Sequence, residues 1–172
     1  MKQKIIAVVG GKKVGKTTTI EKLIHELASR SYKVAVIKHI SEPEFTIDTP
    51  GKDTYRFAQH GARTIIAMAP NEVVTIEKGN TCEVPLSSLL KKCKDSDVIL
   101  IEGFKKIVAK KATIQKIVVV KSQEEAASAL QTYNPILAFS GSYNTEKINS
   151  NIPYVDSTKN PKKLADIVQT IL

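Results

Sequence analysis

The chain has 172 residues, 42% of them hydrophobic and 25% charged, and a formal net charge of +9. This length predicts one globular domain over residues 1–172 with a sizeable core. No apolar run approaches the roughly 20 residues of a membrane helix, and two cysteines are too few for a secreted disulfide scaffold. We therefore expect a cytoplasmic protein with a solvated lysine-rich surface, no membrane association and no nucleic-acid partner.

The first part of the chain reads as strand, glycine-rich turn, helix and strand. The apolar run over residues 4–9 predicts a buried strand rather than a signal peptide, because it stops at Gly10. Apolar residues at helical spacing predict a helix over residues 17–30, and a second buried strand follows over residues 33–38. Such a strand–helix–strand unit is parallel and right-handed as a rule.

The rest of the chain alternates in the same way, with one interruption. A long loop over residues 39–52 precedes a short helix over residues 53–60, for which Asp53 is the expected cap. Strand-like runs on both sides of Pro70-Asn71 predict a hairpin. Further helices are predicted at 85–93, 122–130 and 161–171, strands at 97–102, 114–120 and 136–139, and a lysine-rich loop at 103–113. These elements predict a three-layer α/β fold with a mostly parallel sheet plus an antiparallel hairpin.

A phosphate-binding motif lies between the first strand and the first helix. It consists of Gly10, Gly11, Lys12, Lys13, Val14, Gly15, Lys16 and Thr17, and it fits the P-loop pattern G-x-x-x-x-G-K-S/T in its confirming context. Glycines let backbone N–H groups turn toward phosphate oxygens, Lys16 brings a positive charge to the terminal phosphates, and the Thr17 hydroxyl can ligate Mg²⁺. We assign residues 10–18, including Thr18, to nucleotide binding within a P-loop fold. The alternative is a glycine-rich turn that binds nothing.

Two acids are candidates for the chemistry around the terminal phosphate, together with Lys16. Glu102 ends a buried strand at the edge where α/β sheets bind ligands, whereas Asp97 begins that strand at the far edge. Asp48 lies in the long loop after the second strand. We expect Glu102 and Asp48 to act on Mg²⁺ and on water. The plainer alternatives are an exposed strand-end acid for Glu102 and ordinary loop polarity for Asp48.

Three segments taken together resemble one known family. They are the motif from Val9 to Thr19, the stretch from Ile37 to Thr54 that contains Asp48-Thr49-Pro50-Gly51-Lys52-Asp53, and Ile101-Glu102-Gly103-Phe104-Lys105. Their order and spacing resemble the molybdopterin-guanine dinucleotide biosynthesis protein B family, MobB, from residue 4 to about residue 121. The P-loop alone is generic, so the last two segments are the specific part.

The resemblance implies a GTP-binding, weakly hydrolysing accessory protein that assists attachment of GMP to molybdopterin. It also implies a homodimer, a molybdopterin guanylyltransferase of the MobA type as partner, and molybdopterin as a further candidate ligand. Family members often carry more histidines after the position of His39, where this chain has Ile40-Ser41-Glu42. A pterin or metal role is therefore not carried over to that stretch.

The residues by themselves leave the nucleotide and the reaction open. The sequence contains no Asn-Lys-x-Asp motif, so nothing in it chooses GTP over ATP. An ATP-dependent kinase of a small metabolite is one alternative, although Arg30, Arg56 and Arg63 lie in no recognisable lid. A metallochaperone-type GTPase is another, although the chain lacks a Cys/His ligand cluster. Turnover in the absence of a partner also stays open.

Overall fold

The computed structural model describes residues 3–143 and 151–172. The described residues form two compact units, one from residues up to 39 and from 90 onward, the other from residues 40–89. The single domain expected for residues 1–172 stays a prediction. In this part of the chain, no helix has both the length and the apolar character that crossing a bilayer requires.

The regular elements follow the predicted alternation. In chain order they are β1 (Lys4–Gly10), α1 (Lys16–Ser29), β2 (Val34–Lys38), α2 (Asp53–Gln59), β3 (Thr64–Ala69), β4 (Glu72–Glu77), a turn of 3₁₀ helix (Thr81–Glu83), α3 (Leu86–Lys92), β5 (Val98–Glu102), α4 (Lys105–Val108), β6 (Gln115–Val119), α5 (Gln123–Thr132), β7 (Ile136–Ser140), β8 (Tyr154–Val155) and α6 (Pro161–Gln169).

The main sheet lies in the first unit and is parallel. Its described strands follow the order β2-β5-β1-β6-β7-β8, and every pair of neighbours runs parallel. Lys38 and Val8 both pair with Glu102, and Gly10 pairs with Val119. Since the carboxyl ends of parallel strands share one edge, the glycine-rich turn, Lys38 and Glu102 all lie at that edge.

The central strands are apolar on both faces because helices cover both faces. One face packs against α1 and α6 through a buried cluster that includes Ile6, Val8, Leu100, Val119, Leu23, Leu27, Leu164 and Val168. The alternate strand residues, among them Ala7, Ile99, Ile101 and Val118, are at most 1% exposed, as are Val108 of α4 and Ala126 of α5. The predicted three-layer α/β class is confirmed.

The second unit contains the predicted hairpin. β3 and β4 pair antiparallel, with Ile65 opposite Ile76 and Ala67 opposite Val74, and α2 contacts β3. The assignment of Asp53 as the cap of α2 is wrong. Lys52, with extended backbone, precedes the helix, and Asp53 lies in the first turn, where its negative charge is still favourable toward the helix dipole.

Three details of the first unit differ from the sequence expectation. The predicted loop over residues 103–113 contains α4, which the buried Val108 anchors to the core in a segment otherwise rich in lysine. β8 was not predicted, since two residues are too few to show a period. The spacing of Ser122 and Glu125 predicts a capping box, in which each side chain accepts from the other residue's N–H. Ser122 does cap α5 by accepting the Glu125 N–H at 3.2 Å, but the Glu125 carboxylate accepts from the Lys121 N–H rather than from the Ser122 N–H.

A buried lysine lies at the edge of the sheet opposite the phosphate turn. Lys116 of β6 is 0% exposed, and its ammonium donates to the carbonyl oxygens of Lys111 at 2.8 Å and Asn134 at 2.6 Å. Burial, with a smaller contribution from the charge of Lys110, lowers the pKa of Lys116 from 10.5 to about 8. Folding therefore favours loss of this proton.

This shift predicts a pH-dependent contribution to stability. Between pH 8 and pH 10.5 the unfolded chain holds the Lys116 proton while the folded chain releases it, so the free energy of unfolding should rise with pH, by up to about 3 kcal/mol. Lys116→Met lacks this gain. Urea unfolding at about pH 7.5 and about pH 10 should show the wild type gaining stability relative to the variant, with the exposed-side-chain control Lys111→Met following the wild type. An equal pH response in all three proteins would contradict the assignment.

Candidate functional site

The turn between β1 and α1 has a backbone shape that glycine permits. Gly10 and Gly15 have φ angles of 151° and 96°. A Cβ on Gly10 would lie 2.3 Å from the carbonyl oxygen of Val119, because the turn leaves the sheet directly against β6. Val14 is 8% exposed and anchors the middle of the turn, while Lys12 and Lys13 are exposed.

The beginning of α1 is open to an anion. No side chain caps this end of the helix, and its first turn contains no acidic residue. The Thr19 N–H donates to the Gly15 carbonyl at 2.9 Å, so the N–H groups of the preceding helical residues have no intrahelical acceptor. Unpaired N–H groups and the positive end of the helix dipole together form an anion-binding site. Thr18 lies exposed in this first turn.

The Lys16 side chain folds back over the turn. Its ammonium donates to the carbonyl oxygen of Gly11 at 2.5 Å. Burial lowers the pKa of Lys16, the positive charges of Lys105 and Lys38 lower it further, and the carboxylate of Glu102 opposes them. A phosphate oxygen is a stronger acceptor for an ammonium than a neutral carbonyl is, so an arriving phosphate can take this hydrogen bond from Gly11.

Glu102 connects three elements at the edge of the sheet. Its two carboxylate oxygens accept from the Thr17 hydroxyl at 3.3 and 3.4 Å, and Oε2 lies 3.5 Å from the ammonium of Lys38. The Glu102 side chain is 14% exposed and that of Lys38 is 50% exposed. The predicted proximity of Thr17 and Glu102 is therefore present, and Glu102 is not simply an exposed acid at a strand end.

The Thr17–Glu102 pair fits a hard cation. Hydroxyl and carboxylate oxygens are the ligands that Mg²⁺ prefers, and Mg²⁺ at nucleotide sites takes further oxygens from phosphate and water. Within residues 3–143 and 151–172, no group of three or more His, Cys, Asp and Glu side chains is arranged to hold a metal ion. A Mg²⁺ at Thr17 and Glu102 therefore needs the phosphate of a nucleotide for its remaining ligands.

Two cations of this site were not assigned from the sequence. Lys38 and Lys105 both act on the pKa of Lys16. The available signal for Lys38 was its position at the end of a predicted strand, and for Lys105 its position just after the Glu102-Gly103 pair. Arg30 is used elsewhere, since it binds Asp166 of α6 at 2.7 Å. The positive charges beside Lys16 in the described first unit are therefore those of lysines.

Two of the three segments that resemble the family contact each other. The His39 N–H donates to the Glu102 carbonyl at 2.9 Å, and the His39 ring lies edge-on to Phe104 with ring centroids 5.0 Å apart. The Lys38-His39 pair at the end of β2 therefore packs against the Glu102–Phe104 segment at the end of β5. His39 has a structural partner in this arrangement.

Asp48 belongs to the second unit, so its role at Mg²⁺ stays a prediction. Its Oδ1 accepts from the Thr54 hydroxyl at 2.9 Å and from the Thr49 N–H at 3.0 Å. Its Oδ2 is buried and has no hydrogen-bond partner within the described residues. A buried carboxylate oxygen without a donor is costly, which makes Asp48 a good candidate for accepting from a ligand or from water.

Comparisons with known proteins identify the family of this chain. A relative from Methanocaldococcus jannaschii is 35% identical over 123 residues, which are 70% of this chain and 49% of that protein. The molybdopterin-guanine dinucleotide biosynthesis adapter protein of Escherichia coli is 37% identical over 94 residues, 53% of each chain. The chain thus spans about half the length of these curated relatives.

A solved structure agrees over nearly the whole chain. The crystal structure of a molybdopterin-guanine biosynthesis protein B superposes with a TM-score of 0.71 at 22% identity, over 97% of each chain. This likeness concerns the fold. The family model for molybdopterin guanine dinucleotide synthesis protein B matches residues 5–141. Since this match covers well over half of the 172 residues, the chain belongs to the MobB family.

Proposed function

We propose that the chain binds GTP with Mg²⁺ at residues 10–18 and serves as an adapter protein in molybdopterin guanine dinucleotide biosynthesis. The observation that carries this proposal is the Lys16 ammonium, held at the open end of α1 beside the Thr17–Glu102 pair, in a chain of the MobB family. The adapter role is supported by the relatives from Escherichia coli and Haemophilus influenzae, which are molybdopterin-guanine dinucleotide biosynthesis adapter proteins. The choice of GTP comes from the family resemblance.

Each residue of the site has a task in this proposal. The N–H groups of the turn and of the first turn of α1 bind the inner phosphates. Lys16 moves from the Gly11 carbonyl to the terminal phosphates, and Lys38 and Lys105 add positive charge beside it. Thr17 and Glu102 hold Mg²⁺, which when bound neutralises charge on the β- and γ-phosphates. Asp48 and Glu102 orient the water.

Hydrolysis by the isolated chain is slow in this proposal. An arginine finger raises phosphoryl-transfer rates by about 10³–10⁵, and Arg30 is paired with Asp166 on α6. Slow turnover suits a protein that presents a bound nucleotide to a partner. We propose that this partner is a molybdopterin guanylyltransferase of the MobA type, that the chain acts as a homodimer in the cytoplasm, and that molybdopterin is a further ligand.

The first test removes the charge at the centre of the site. Lys16→Ala should weaken GTP–Mg²⁺ binding by about 10- to 150-fold, since hydrogen bonds to charged groups contribute roughly 1.5–3 kcal/mol. Titration calorimetry should compare it with wild type and with Lys22→Ala, an exposed lysine of α1. An unchanged dissociation constant for Lys16→Ala would remove the basis of the assignment.

The second test separates binding from hydrolysis. Glu102→Gln and Asp48→Asn keep size and remove charge, so GDP affinity should survive while the Mg²⁺ requirement rises. Turnover, already well below about 10 per second in the wild type, should fall by roughly 10²–10⁴-fold. Single-turnover assays and GDP titrations on the same samples measure both effects.

A matched control lies at the opposite end of β5. Asp97 accepts from the Lys33 N–H at 2.7 Å, and Asp97→Asn keeps an acceptor there, so its turnover should match the wild type. If GDP binding collapses in Glu102→Gln or Asp48→Asn while the protein stays folded, the acid concerned belongs to the binding site rather than to the hydrolytic machinery.

A further inference from the structure

A small cavity lies at the ligand edge of the sheet, in the same unit as the phosphate site. The cavity has a volume of about 190 Å³ and is lined by Tyr154, Asp156, Lys159 and Asn160, among others.

 Ligand pockets generally measure about 300–1,000 Å³, so a cavity of about 190 Å³ suits one ring system of a larger ligand rather than a whole ligand. The cavity lies where β7 and β8 end and α6 begins.

A buried hydrogen bond ties this cavity to the phosphate site. The hydroxyls of Ser157 and Thr19 lie 2.9 Å apart, and the two residues are 2% and 1% exposed. Thr19 belongs to the first turns of α1, and its hydroxyl also donates to the Gly15 carbonyl at 3.1 Å. Because Asp156 directly precedes Ser157, its position is set relative to the helix that begins at Lys16.

The distance along the sheet suits a nucleotide. In the strand order, β8 lies three positions from β1, which corresponds to about 14 Å at the usual strand spacing of about 4.8 Å. A nucleoside triphosphate with its phosphates at Lys16 can extend along this edge, past the exposed Thr18, and place its base near β8.

The two oxygens of Asp156 have different surroundings. Oδ1 accepts from the Thr158 hydroxyl at 2.6 Å, the Thr158 N–H at 2.9 Å and the Lys159 N–H at 3.3 Å. Oδ2 has an ion pair with the Lys159 ammonium at 3.9 Å, and that side chain is 75% exposed, so the pair contributes little. Oδ1 therefore builds the turn, while Oδ2 remains available to accept from a ligand.

The surroundings of Asp156 and of its neighbour Tyr154 shift the pKa of each side chain. Burial alone would raise the pKa of Asp156, but hydrogen bonds from Thr158 and Lys159 outweigh it and hold the pKa below its ordinary value. Burial and the charge of Asp156 raise the pKa of Tyr154 to about 12. The Tyr154 hydroxyl stays protonated and donates to the Gly141 carbonyl at 2.8 Å.

Gly141, which directly precedes the cavity-lining Ser142, is fixed against the neighbouring strand. A Cβ on Gly141 would lie 2.0 Å from the carbonyl oxygen of Val120, so the chain after β7 approaches the end of β6 as closely as only glycine allows. Together with the Tyr154–Gly141 hydrogen bond, this contact gives the cavity a defined shape.

We propose that this cavity takes the guanine base of GTP, with Oδ2 of Asp156 accepting hydrogen bonds from the ring N1–H and the 2-amino group. The proposal rests on the proposed binding of GTP at residues 10–18. Guanine presents these two donors side by side, whereas adenine lacks the N1–H and turns a lone pair toward the carboxylate. A carboxylate left unpaired or repelled in a partly buried site disfavours the wrong base. Asp156 would thus supply the guanine selectivity for which the sequence shows no Asn-Lys-x-Asp motif.

A change of base preference tests this assignment. Asp156→Asn keeps an oxygen for the turn and replaces the other oxygen with an amide NH₂, which can donate to the carbonyl at position 2 of xanthine. GTP affinity should fall by about 10- to 150-fold, while affinity for xanthosine triphosphate should rise above that of the wild type. Asp95→Asn, at an exposed acid, is the control and should keep the preference for GTP. Calorimetric titrations with GTP, ATP and xanthosine triphosphate measure all three affinities.

The outcomes separate this inference from the proposed function. Wild type that binds GTP and ATP equally well overturns the base assignment alone, as does Asp156→Asn with an unchanged preference for GTP. An equal loss of all three nucleotides in a folded Asp156→Asn protein means that Asp156 only shapes the turn, and this also overturns the assignment. Wild type that binds no nucleotide overturns the proposed function and this inference with it.

Discussion

The contact between the Lys16 ammonium and the Gly11 carbonyl is the interaction on which the account of this site depends. Lys16 is half-buried and lies in the field of two further lysines, so its positive charge is held under unfavourable conditions. A neutral carbonyl compensates only part of that cost. A phosphate group would relieve it, because it is anionic and offers several acceptor oxygens. The excess of positive charge is therefore a property that suits binding rather than stability.

The topology of the sheet determines which residues can share this charge. β5 lies between β2 and β1, so that Glu102 has Lys38 on one side and the phosphate turn on the other. One carboxylate can then contact both Thr17 and Lys38. A different strand order would leave Lys38 unpaired and Glu102 away from the helix that begins at Lys16.

Local sequence signals were sufficient for the phosphate turn and for Glu102. The spacing of Gly10, Gly15 and Lys16 specifies the turn, and the apolar run before Glu102 specifies a strand that ends at the ligand edge. The alternation of elements likewise predicted the sheet and the hairpin. These signals are local because each depends on hydrogen bonds or side-chain periodicity within one element.

The remaining features depend on contacts between distant parts of the chain. Lys38 joins the site because β2 pairs with β5, and Lys105, which follows β5, comes near Lys16 because β5 pairs with β1. The order of elements along the chain does not reveal these pairings. Asp156 follows a strand of two residues, and the hydrogen bond that ties its neighbour Ser157 to Thr19 of α1 joins residues 138 positions apart. The error at Asp53 has a smaller cause, since Lys52 already has the extended backbone of a capping residue and moves the helix start by one position.

Hydrogen exchange of the backbone amides, followed with and without GTP–Mg²⁺, tests the central claim most directly. The account predicts slower exchange in the turn and first helical residues, from Gly11 to Thr19, because their N–H groups bind phosphate, and in the segment around Asp156. Amides near the buried Lys116, at the far edge of the sheet, should be unaffected. Exchange that stays unchanged from Gly11 to Thr19 at saturating nucleotide, or slows only elsewhere, would contradict the account.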